Sequence, residues 1–286
     1  PHCLHQLYDP LHRPICQPSP RGRHAQSGRR LSFSIDPAVL KRIHFNIHSR
    51  HAALHRLSRA HPPLVQCGIP GDNRIDFESI KQAWMTHPGI QNIALTSRTP
   101  SGRLSSRLKT SPEGIPEDQR PSMQTVWIGY DFFETLGMTF TTGRSFSTER
   151  TTDASSAFVI NETACHELGW TPEEAIGKGF GSSYIDDWNN GQWKPKKGQV
   201  IGVVKDVYYE SLKEPVKPMV FFIQPYMAWG TIARIQTKNI PETLKFIKQK
   251  YLELDPDRYF EFDYAFLNER FETLYRTEEK QAHIFG

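Results

Sequence analysis

The sequence lacks the features that mark several simple protein classes. Its 286 residues include four cysteines, too few for a disulfide-rich scaffold. No run approaches the ~18 consecutive apolar residues of a membrane-spanning helix, and no signal peptide opens the chain. There is no initiator methionine, so we expect part of a longer protein. Hydrophobic residues still make up 37% of the chain, which is enough for a buried core.

Basic residues are concentrated in the first quarter of the chain. Residues 1–70 hold ten Lys and Arg against two acids, whereas the rest of the chain holds 25 against 29. Nine of the twelve histidines also precede residue 70. An argument for a nucleic-acid partner would rest on this segment alone, and we expect no such partner.

Beyond residue 70 the pattern predicts a folded α+β protein. Helices are predicted at 77–87 and 241–254. Each ends at a proline and precedes a strand, at 90–97 and 259–266. The repeated order predicts two β-α-β halves of one layer, with residues 123–228 inserted between them as a mixed α/β subdomain. We expect both helices to pack on one face of the same sheet.

Shorter patterns predict the remaining elements. The predicted strands are 125–130, 138–141, 157–160, 199–204, 219–223 and 231–236. Short helices are predicted at 131–137 and 161–168, with Asn161 as the N-cap of the second. Residues 98–122 are predicted to form a long loop or an edge hairpin, and residues 267–283 a charged amphipathic helix.

A nucleotide site is the first candidate for chemistry. Gly177–Gly181 is the only glycine-rich run with a lysine, Lys178. A P-loop requires Ser or Thr after the lysine and a helix whose N-terminus faces the phosphates. Gly179 follows Lys178 instead, and no helical pattern comes after it. We therefore predict a turn into a strand, no ATP binding or hydrolysis, and no cofactor.

Histidines near the front raise the question of a metal. Four of them repeat at helical spacing: His44, His48, His51 and His55. Two histidines one turn apart can hold zinc, but no carboxylate flanks this group, which favours an incidental basic face. A second group lacks partners at zinc-finger spacing: His2, Cys3 and His5. We predict no metal site.

No nucleophile is found with a base in reach. Cys165 directly precedes His166 and Glu167, but adjacent helical residues point about 100° apart and do not face each other. We expect a buried cysteine. Three pairs of acids are expected to be solvated: Glu173–Glu174, Asp186–Asp187 and Glu278–Glu279. No catalytic residue is predicted.

Aromatic residues gather on and near the 181–198 loop. They are Tyr184, Trp188, Trp193, Tyr208 and Tyr209. Trp and Tyr are enriched in interaction surfaces and also cover sheets, so this pattern leaves both interpretations open.

Several ordered blocks carry a resemblance to a known family. They are Tyr130–Gly137 (YDFFETLG), Thr142–Phe146 (TGRSF), Ala157–Glu162 (AFVINE), Ala175–Lys178 (AIGK), Val200–Asp206 (VIGVVKD) and Thr231–Ile235 (TIARI), followed by residues 239–254 and 262–276. In this order and spacing they resemble the MacB-like periplasmic core domain of ABC transporter permeases of the MacB/FtsX type. The resemblance covers residues 71–286.

The resemblance implies a non-catalytic extracytoplasmic domain between the first two membrane helices of a permease. It would couple ATP-driven motion to export or to partner binding outside the membrane, on the periplasmic side of the inner membrane. A separate ABC ATPase domain or subunit would handle ATP, so this chain would not be an enzyme. Further partners would be a second permease copy, a periplasmic adaptor or substrate, and the membrane itself through flanking helices.

The resemblance also implies a division of the chain. Residues 71–122 and 229–266 would form a porter-like β-α-β layer, 123–228 the inserted mixed α/β subdomain, and 267–286 a juxtamembrane amphipathic helix. Residues 1–70 depart from the family, which would place an apolar membrane helix there. A translation in the wrong reading frame is favoured over a basic extension because periodicity is weak. We expect deletion of residues 1–68 to leave the stability of the remainder nearly unchanged.

A hydrolase is the alternative from the enzyme class. It would act on a small molecule and use the 181–198 loop as its site. Such a site requires acids, histidines or Cys165 to converge in a pocket with perturbed pKa values.

Overall fold

The computed structural model describes residues 62–68, 76–183, 195–210, 214–228, 230–256 and 262–273, with the backbone of 186–187 and 192–193. Its strands are β1 (Leu64–Gly68), β2 (Ile90–Thr96), β3 (Arg107–Lys109), β4 (Ser122–Ile128), β5 (Phe140–Gly143), β6 (Ala157–Asn161), β7 (Gly179–Ser182), β8 (Asp186–Asp187), β9 (Gln192–Trp193), β10 (Lys196–Val204), β11 (Met219–Ile223), β12 (Gly230–Ile235) and β13 (Tyr264–Phe266). Its helices are α1 (Phe77–Met85), α2 (Phe132–Leu136), α3 (Asp153–Ser156), α4 (Glu162–Glu167), α5 (Pro172–Ala175) and α6 (Ile240–Leu254), and residues 267–273 are also helical.

A mixed sheet organises the fold and confirms the predicted α+β class. Its strands follow the order β13-β1-β12-β2-β4-β11-β6-β10-β5, with β3 paired to β4 and β7 paired to β10. The strands β8 and β9 form a separate small hairpin. Short 3-10 turns lie at Glu117–Gln119 and Pro225–Met227.

The strands β13, β1, β12 and β2 pair in antiparallel fashion and form what we call the four-strand part. Helices α1 and α6 pack together on one of its faces. Their apolar residues form one cluster with those of the strands, which we call the four-strand core and which includes Ile80, Trp84, Ile93, Ile247 and Tyr251. The prediction that the two helices lie on one face is confirmed. Periodic apolar residues drive this packing, since each helix buries a single stripe.

Helix boundaries follow from local signals. The Asp76 side chain accepts a hydrogen bond from Ser79 N at 3.3 Å and caps α1. Pro241 stands in the first turn of α6, where its missing N–H costs nothing. Helix α1 ends at Met85, two residues before the predicted end.

Strand β1 corrects an expectation about the front of the chain. Residues 64–68 lie between β12 and β13 in the sheet, and the side chains of Val65 and Cys67 are fully buried. The expectation that residues 1–68 contribute little to stability is therefore wrong for 64–68, because this strand fills the four-strand core. The other predictions for the front concern residues before 62 and lie outside the described residues.

Six further strands close into a ring: β3, β4, β11, β6, β10 and β7. The closing contact joins the chain after β3 to β7. Thr110 and Ser182 form a β-bridge there. Three backbone hydrogen bonds of 2.8 Å flank the bridge: Ser111 N to Gly181 O, Glu113 N to Gly179 O, and Ser183 N to Lys109 O. The predicted loop or hairpin at 98–122 thus supplies a strand that completes the ring.

The two faces of the sheet are covered differently. On one face the ring core, which includes Phe158, Phe180 and Phe222, packs under α4 and α5 and is separate from the four-strand core. On the opposite face a single cluster, which we call the shared core, runs across both parts from Ile232 to Phe221. The shared core therefore links the four-strand part to the ring.

The substitution Val65→Ala tests the role of β1. Loss of two buried methyl groups should lower the free energy of unfolding by about 2 kcal/mol, measured by urea denaturation. The control Gln82→Ala alters an exposed residue of α1 and should change stability by less than about 0.5 kcal/mol. Equal effects of the two substitutions would contradict a place for β1 in the core.

Candidate functional site

The narrowest connection in the sheet lies between β2 and β4. Thr96 and Ile128 are the single residue pair that these strands share. Three further hydrogen bonds reinforce the pair: Ser97 N to Trp127 O at 2.8 Å, Gly129 N to Leu95 O at 3.0 Å, and Trp127 N to Ser97 Oγ at 3.0 Å. We call residues 95–97 and 127–129 the seam, because the four-strand part and the ring meet there.

Helix α2 lies in the first family-like block and stabilises the seam through contacts with the four-strand part. Asp131 directly precedes α2, and its Oδ2 lies 2.5 Å from Lys81 Nζ of α1. Near the end of α2, Thr135 O accepts a hydrogen bond of 2.7 Å from Arg234 Nε of β12. The helix predicted from residue 131 begins at Phe132, because the Asp131 backbone is left-handed (φ 63°) and its carboxylate accepts from Lys81 instead of capping the helix. At Gly137 (φ 67°) a Cβ would lie 2.9 Å from Arg234 Nη2, so glycine leaves room for that guanidinium.

The apolar side of α2 enters the shared core. Phe132 and Phe133 are both about 1% exposed. The Phe133 ring centroid lies 5.3 Å from that of Phe221 in β11 and 5.0 Å from that of Phe140 in β5. Edge-on aromatic contacts at these distances add to the stabilisation from buried area. Helix α2 therefore contacts the ring strand β11 and the neighbouring strand β5, while its ends bond the four-strand part.

The next block contains a glycine and an arginine with separate structural roles. Gly143 has a φ of 75°, and a Cβ there would lie 2.3 Å from Ile201 O, so only glycine allows β5 to approach β10 this closely. Arg144 then forms a bidentate pair with Asp153, at 2.6 and 2.8 Å. Ser147 N donates to the same carboxylate at 2.9 Å. These bonds anchor the segment that leads to α3.

Electrostatics favour the charged form of this pair. Burial alone would raise the pKa of Asp153, but hydrogen bonds from Arg144 and Ser147 N and the nearby positive charges hold it below its usual range. The carboxylate is 2% exposed, so its charge depends on these partners.

Asn161 connects three elements in the block that follows. Its Oδ1 accepts from Ala164 N at 3.1 Å, which confirms it as the N-cap of α4, and from Met219 N at 2.8 Å. Its Nδ2 donates to Asp206 Oδ1 at 2.7 Å. Asp206 also accepts from Thr163 Oγ1 at 2.6 Å. The ends of β6 and β10 and the start of β11 are thus tied together by side chains from two family-like blocks.

The candidate nucleotide and nucleophile residues have structural environments. The Gly177–Gly181 run turns at Gly177 (φ 83°) into β7, as predicted, and Lys178 Nζ lies 4.8 Å from the centre of the Trp170 ring. Burial raises the pKa of Cys165 to about 11 with further contributions from nearby acids, so its thiol stays protonated at neutral pH. This confirms the predicted buried cysteine.

The remaining candidates divide between structural and undescribed residues. Glu174 forms a capping box with Thr171 at the start of α5. Tyr209 is buried in the shared core, which favours for this residue the sheet-covering interpretation, one of the two left open for the aromatics. The side chains of residues 184–194, the acid pair at 278–279 and the candidate histidines before residue 62 lie outside the described residues.

Metal and membrane features are absent from the part of the chain that the structure describes. Within it, three or more His, Cys, Asp or Glu side chains nowhere gather closely enough to hold a metal ion. None of its helices is long and apolar enough to cross a membrane. The described residues also give no support to the hydrolase alternative.

Comparison with solved structures identifies similar folds. The periplasmic region of MacB from Actinobacillus actinomycetemcomitans matches 76% of this chain and 94% of its own, with 14% identity and a TM-score of 0.49. A permease-protein domain from Porphyromonas gingivalis matches 72% and 89%, with 14% identity and a TM-score of 0.47. The extracellular domain of the noncanonic ABC-type transporter YknZ from Gram-positive bacteria matches 71% and 99%, with 12% identity and a TM-score of 0.46.

These neighbours are a periplasmic region, a domain of a permease protein and the extracellular domain of an ABC-type transporter. The first of them is from MacB, the family that the sequence blocks resemble. No protein-family profile matches the sequence, and no curated protein matches it.

Sequence reasoning missed the residues that pair with the family-like blocks. Lys81 and Asp153 lie outside those blocks and partner Asp131 and Arg144 across 50 and 9 positions. Arg144 pairs with an acid only nine positions away, so a search of the neighbouring sequence for acids could have found Asp153. No comparable local signal connects Lys81 with Asp131.

The substitution Asp153→Asn should destabilise the protein by about 2–3 kcal/mol at pH 7, because Arg144 loses a charged partner. The pKa of Asp153 is lowered in the folded state, so its contribution is present above the unfolded value of about 4 and is lost as pH falls below it. The gap between the parent and the variant should therefore shrink below pH 4. Denaturation from pH 7 to pH 3 measures this, with the exposed Asp118→Asn as control. A gap that is constant with pH would contradict the assigned role.

Proposed function

We propose that this chain is the extracytoplasmic domain of an ABC transporter permease, inserted between two membrane helices. The observation that carries the proposal is the pairing of the first and last described strands. β1 and β13 are antiparallel neighbours, with Val65 opposite Phe266 and Cys67 opposite Tyr264. The chain therefore enters β1 and leaves β13 at the same end of the sheet, which we call the junction end.

Adjacent entry and exit points suit a domain inserted into another structure. Neighbouring strands lie about 4.8 Å apart, so the segments before β1 and after β13 start side by side. The helix at 267–273 follows β13 without a loop. In the proposed permease, this helix would continue towards the membrane and carry its motion to β13.

The proposed role is to couple ATP-driven motion to export or to partner binding outside the membrane. Support comes from the polar residues of the family-like blocks, which connect separate elements through side-chain contacts. These residues are Asp131, Arg144 and Asn161. An ABC ATPase domain or subunit would supply the energy, without binding this segment directly. A second permease copy and a periplasmic adaptor or substrate are the further proposed partners. The chain itself would perform no catalysis.

We propose a division of the chain that follows the pairing of strands. The four-strand part with α1 and α6 would be the porter-like layer. The ring would be the insert, and it would begin after Ser97 rather than at 123, because β3 pairs with ring strands. Residues from 267 onward would form the juxtamembrane helix.

The proposed location can be tested with a membrane-impermeant maleimide on intact cells. Met85, near the junction end, is 41% exposed, so Met85→Cys in the full-length permease should be labelled from outside. The background would carry serine at Cys3 and Cys16, while Cys67 and Cys165 are buried. The matched control Ile80→Cys, buried on the same helix, should react only after denaturation. Labelling of Met85→Cys that requires cell lysis would contradict the extracytoplasmic location.

The coupling role can be tested at the helix after β13. Thr273→Pro should break this helix at a cost of about 3 kcal/mol and lower transport per ATP hydrolysed in reconstituted vesicles. Thr273→Ala removes the hydroxyl bond to Glu269 O but keeps the helical backbone, so it should retain coupling. Unchanged coupling in a correctly inserted Thr273→Pro permease would overturn this role, and saturable ATP turnover by the isolated chain would overturn the non-enzymatic assignment.

A further inference from the structure

Lys196 is buried at the start of β10, on the side of the sheet that the ring encloses. The residue is 6% exposed. Its Nζ donates a hydrogen bond of 2.7 Å to Ala154 O in α3. The same nitrogen lies 4.9 Å from the centre of the Phe222 ring and 5.3 Å from that of Phe158. A lysine amine in this position is shielded from water by aromatic side chains, which is uncommon for this residue type.

The groups around Lys196 offer little compensation for a charge. β6 and β11 contribute aromatic rings, and β7 places Ser182 opposite Lys196 with its buried hydroxyl unbonded. The charged group that acts on the amine comes from α3, where Asp153 is already engaged by Arg144. Arg150 adds a further positive charge near Asp153. Aromatic faces attract a cation, but they do not replace the hydrogen bonds of water.

The contact between α3 and β10 is close at two points. One is the bond from Lys196 to Ala154 O. The other is at Gly198, where a Cβ would lie 1.8 Å from Ser156 O. When the Lys196 amine moves into water, it loses its bond to Ala154 O of α3. Hydration of Lys196 therefore removes one of the contacts that hold α3 against β10.

We propose that α3 is a latch whose opening is coupled to proton uptake by Lys196. In the closed form the amine lies against the aromatic rings of Phe158 and Phe222 and donates a hydrogen bond to Ala154 O. In the open form the amine is in water, binds a proton from solvent, and α3 separates from β10. The latch loosens as pH falls towards neutrality, whichever side of a membrane the chain occupies.

The sign of the coupling follows from the two protonation states. Burial, offset in part by Asp153, lowers the pKa of Lys196 from 10.5 to about 7 in the closed form. In the open form the amine regains its ordinary pKa. Between these values the open form binds more protons, so opening becomes easier as pH falls from 10.5 to 7. Below pH 7 both forms are protonated and the dependence ends.

Amide hydrogen exchange measures the opening directly. The amides of Ser156 and Ala157 report on α3 because they bond Thr152 O and Asp153 O, and a four-residue helix separated from β10 would not keep these bonds. After correction for the intrinsic rate, their protection in the parent should be about 50-fold higher at pH 9 than at pH 7, as the two pKa values require. Lys196→Met fills the same space without a titratable group, so its protection should be the same at both pH values.

The adjacent lysine supplies the matched control. Lys197 is exposed on the other side of the same strand, and Lys197→Met should keep the pH dependence of the parent. The latch is overturned if Lys196→Met retains that dependence or if Lys197→Met abolishes it. Should Lys196→Met fail to fold, NMR titration of the parent with 13C-methylated lysines decides. One lysine titrating near pH 7 supports the latch, and titration of all lysines near pH 10 overturns it.

Discussion

The single residue pair Thr96–Ile128 is the constraint on which the arrangement of this protein depends. A sheet with so short a contact between β2 and β4 would not hold its two parts together by backbone pairing alone. The shared core supplies what the pairing lacks, because it runs beneath the seam on one face. Helix α2 supplies the rest, since its ends bond the four-strand part and its two phenylalanines enter the shared core. Backbone pairing sets the position of the seam, and side-chain contacts stabilise it.

The need for side-chain contacts between elements explains the residue types at several positions of the family-like blocks. Gly137 leaves space for Arg234, Gly143 lets β5 approach β10, and Asn161 joins three elements through one side chain. Each has a geometric reason for its residue type.

Local patterns predicted the elements that carry their own signals. Helices α1 and α6 have apolar stripes and are followed by prolines, Asp76 caps α1, and both helices lie where the sequence indicates. Strand β1 was missed because LVQCG is short and follows a basic, proline-rich segment, so its burial depends on β12 and β13 far along the chain. The ring was missed for the same reason, since the Thr110–Ser182 bridge joins residues 72 positions apart. Lys196 was seen only as the end of a loop, because its burial comes from Phe158 and Phe222 on other strands.

The unequal covering of the two faces determines how a force could travel through the sheet. A displacement applied at the junction end acts on β1 and β13, and the hydrogen-bonded strands carry it to β2. From β2 it reaches the ring through the seam and the shared core. Bending that compresses the shared core is opposed by Phe132 and Phe133, because buried side chains are close-packed. Bending the other way parts the four-strand core from the ring core, which are separate clusters. The seam therefore resists bending more strongly in one direction than in the other.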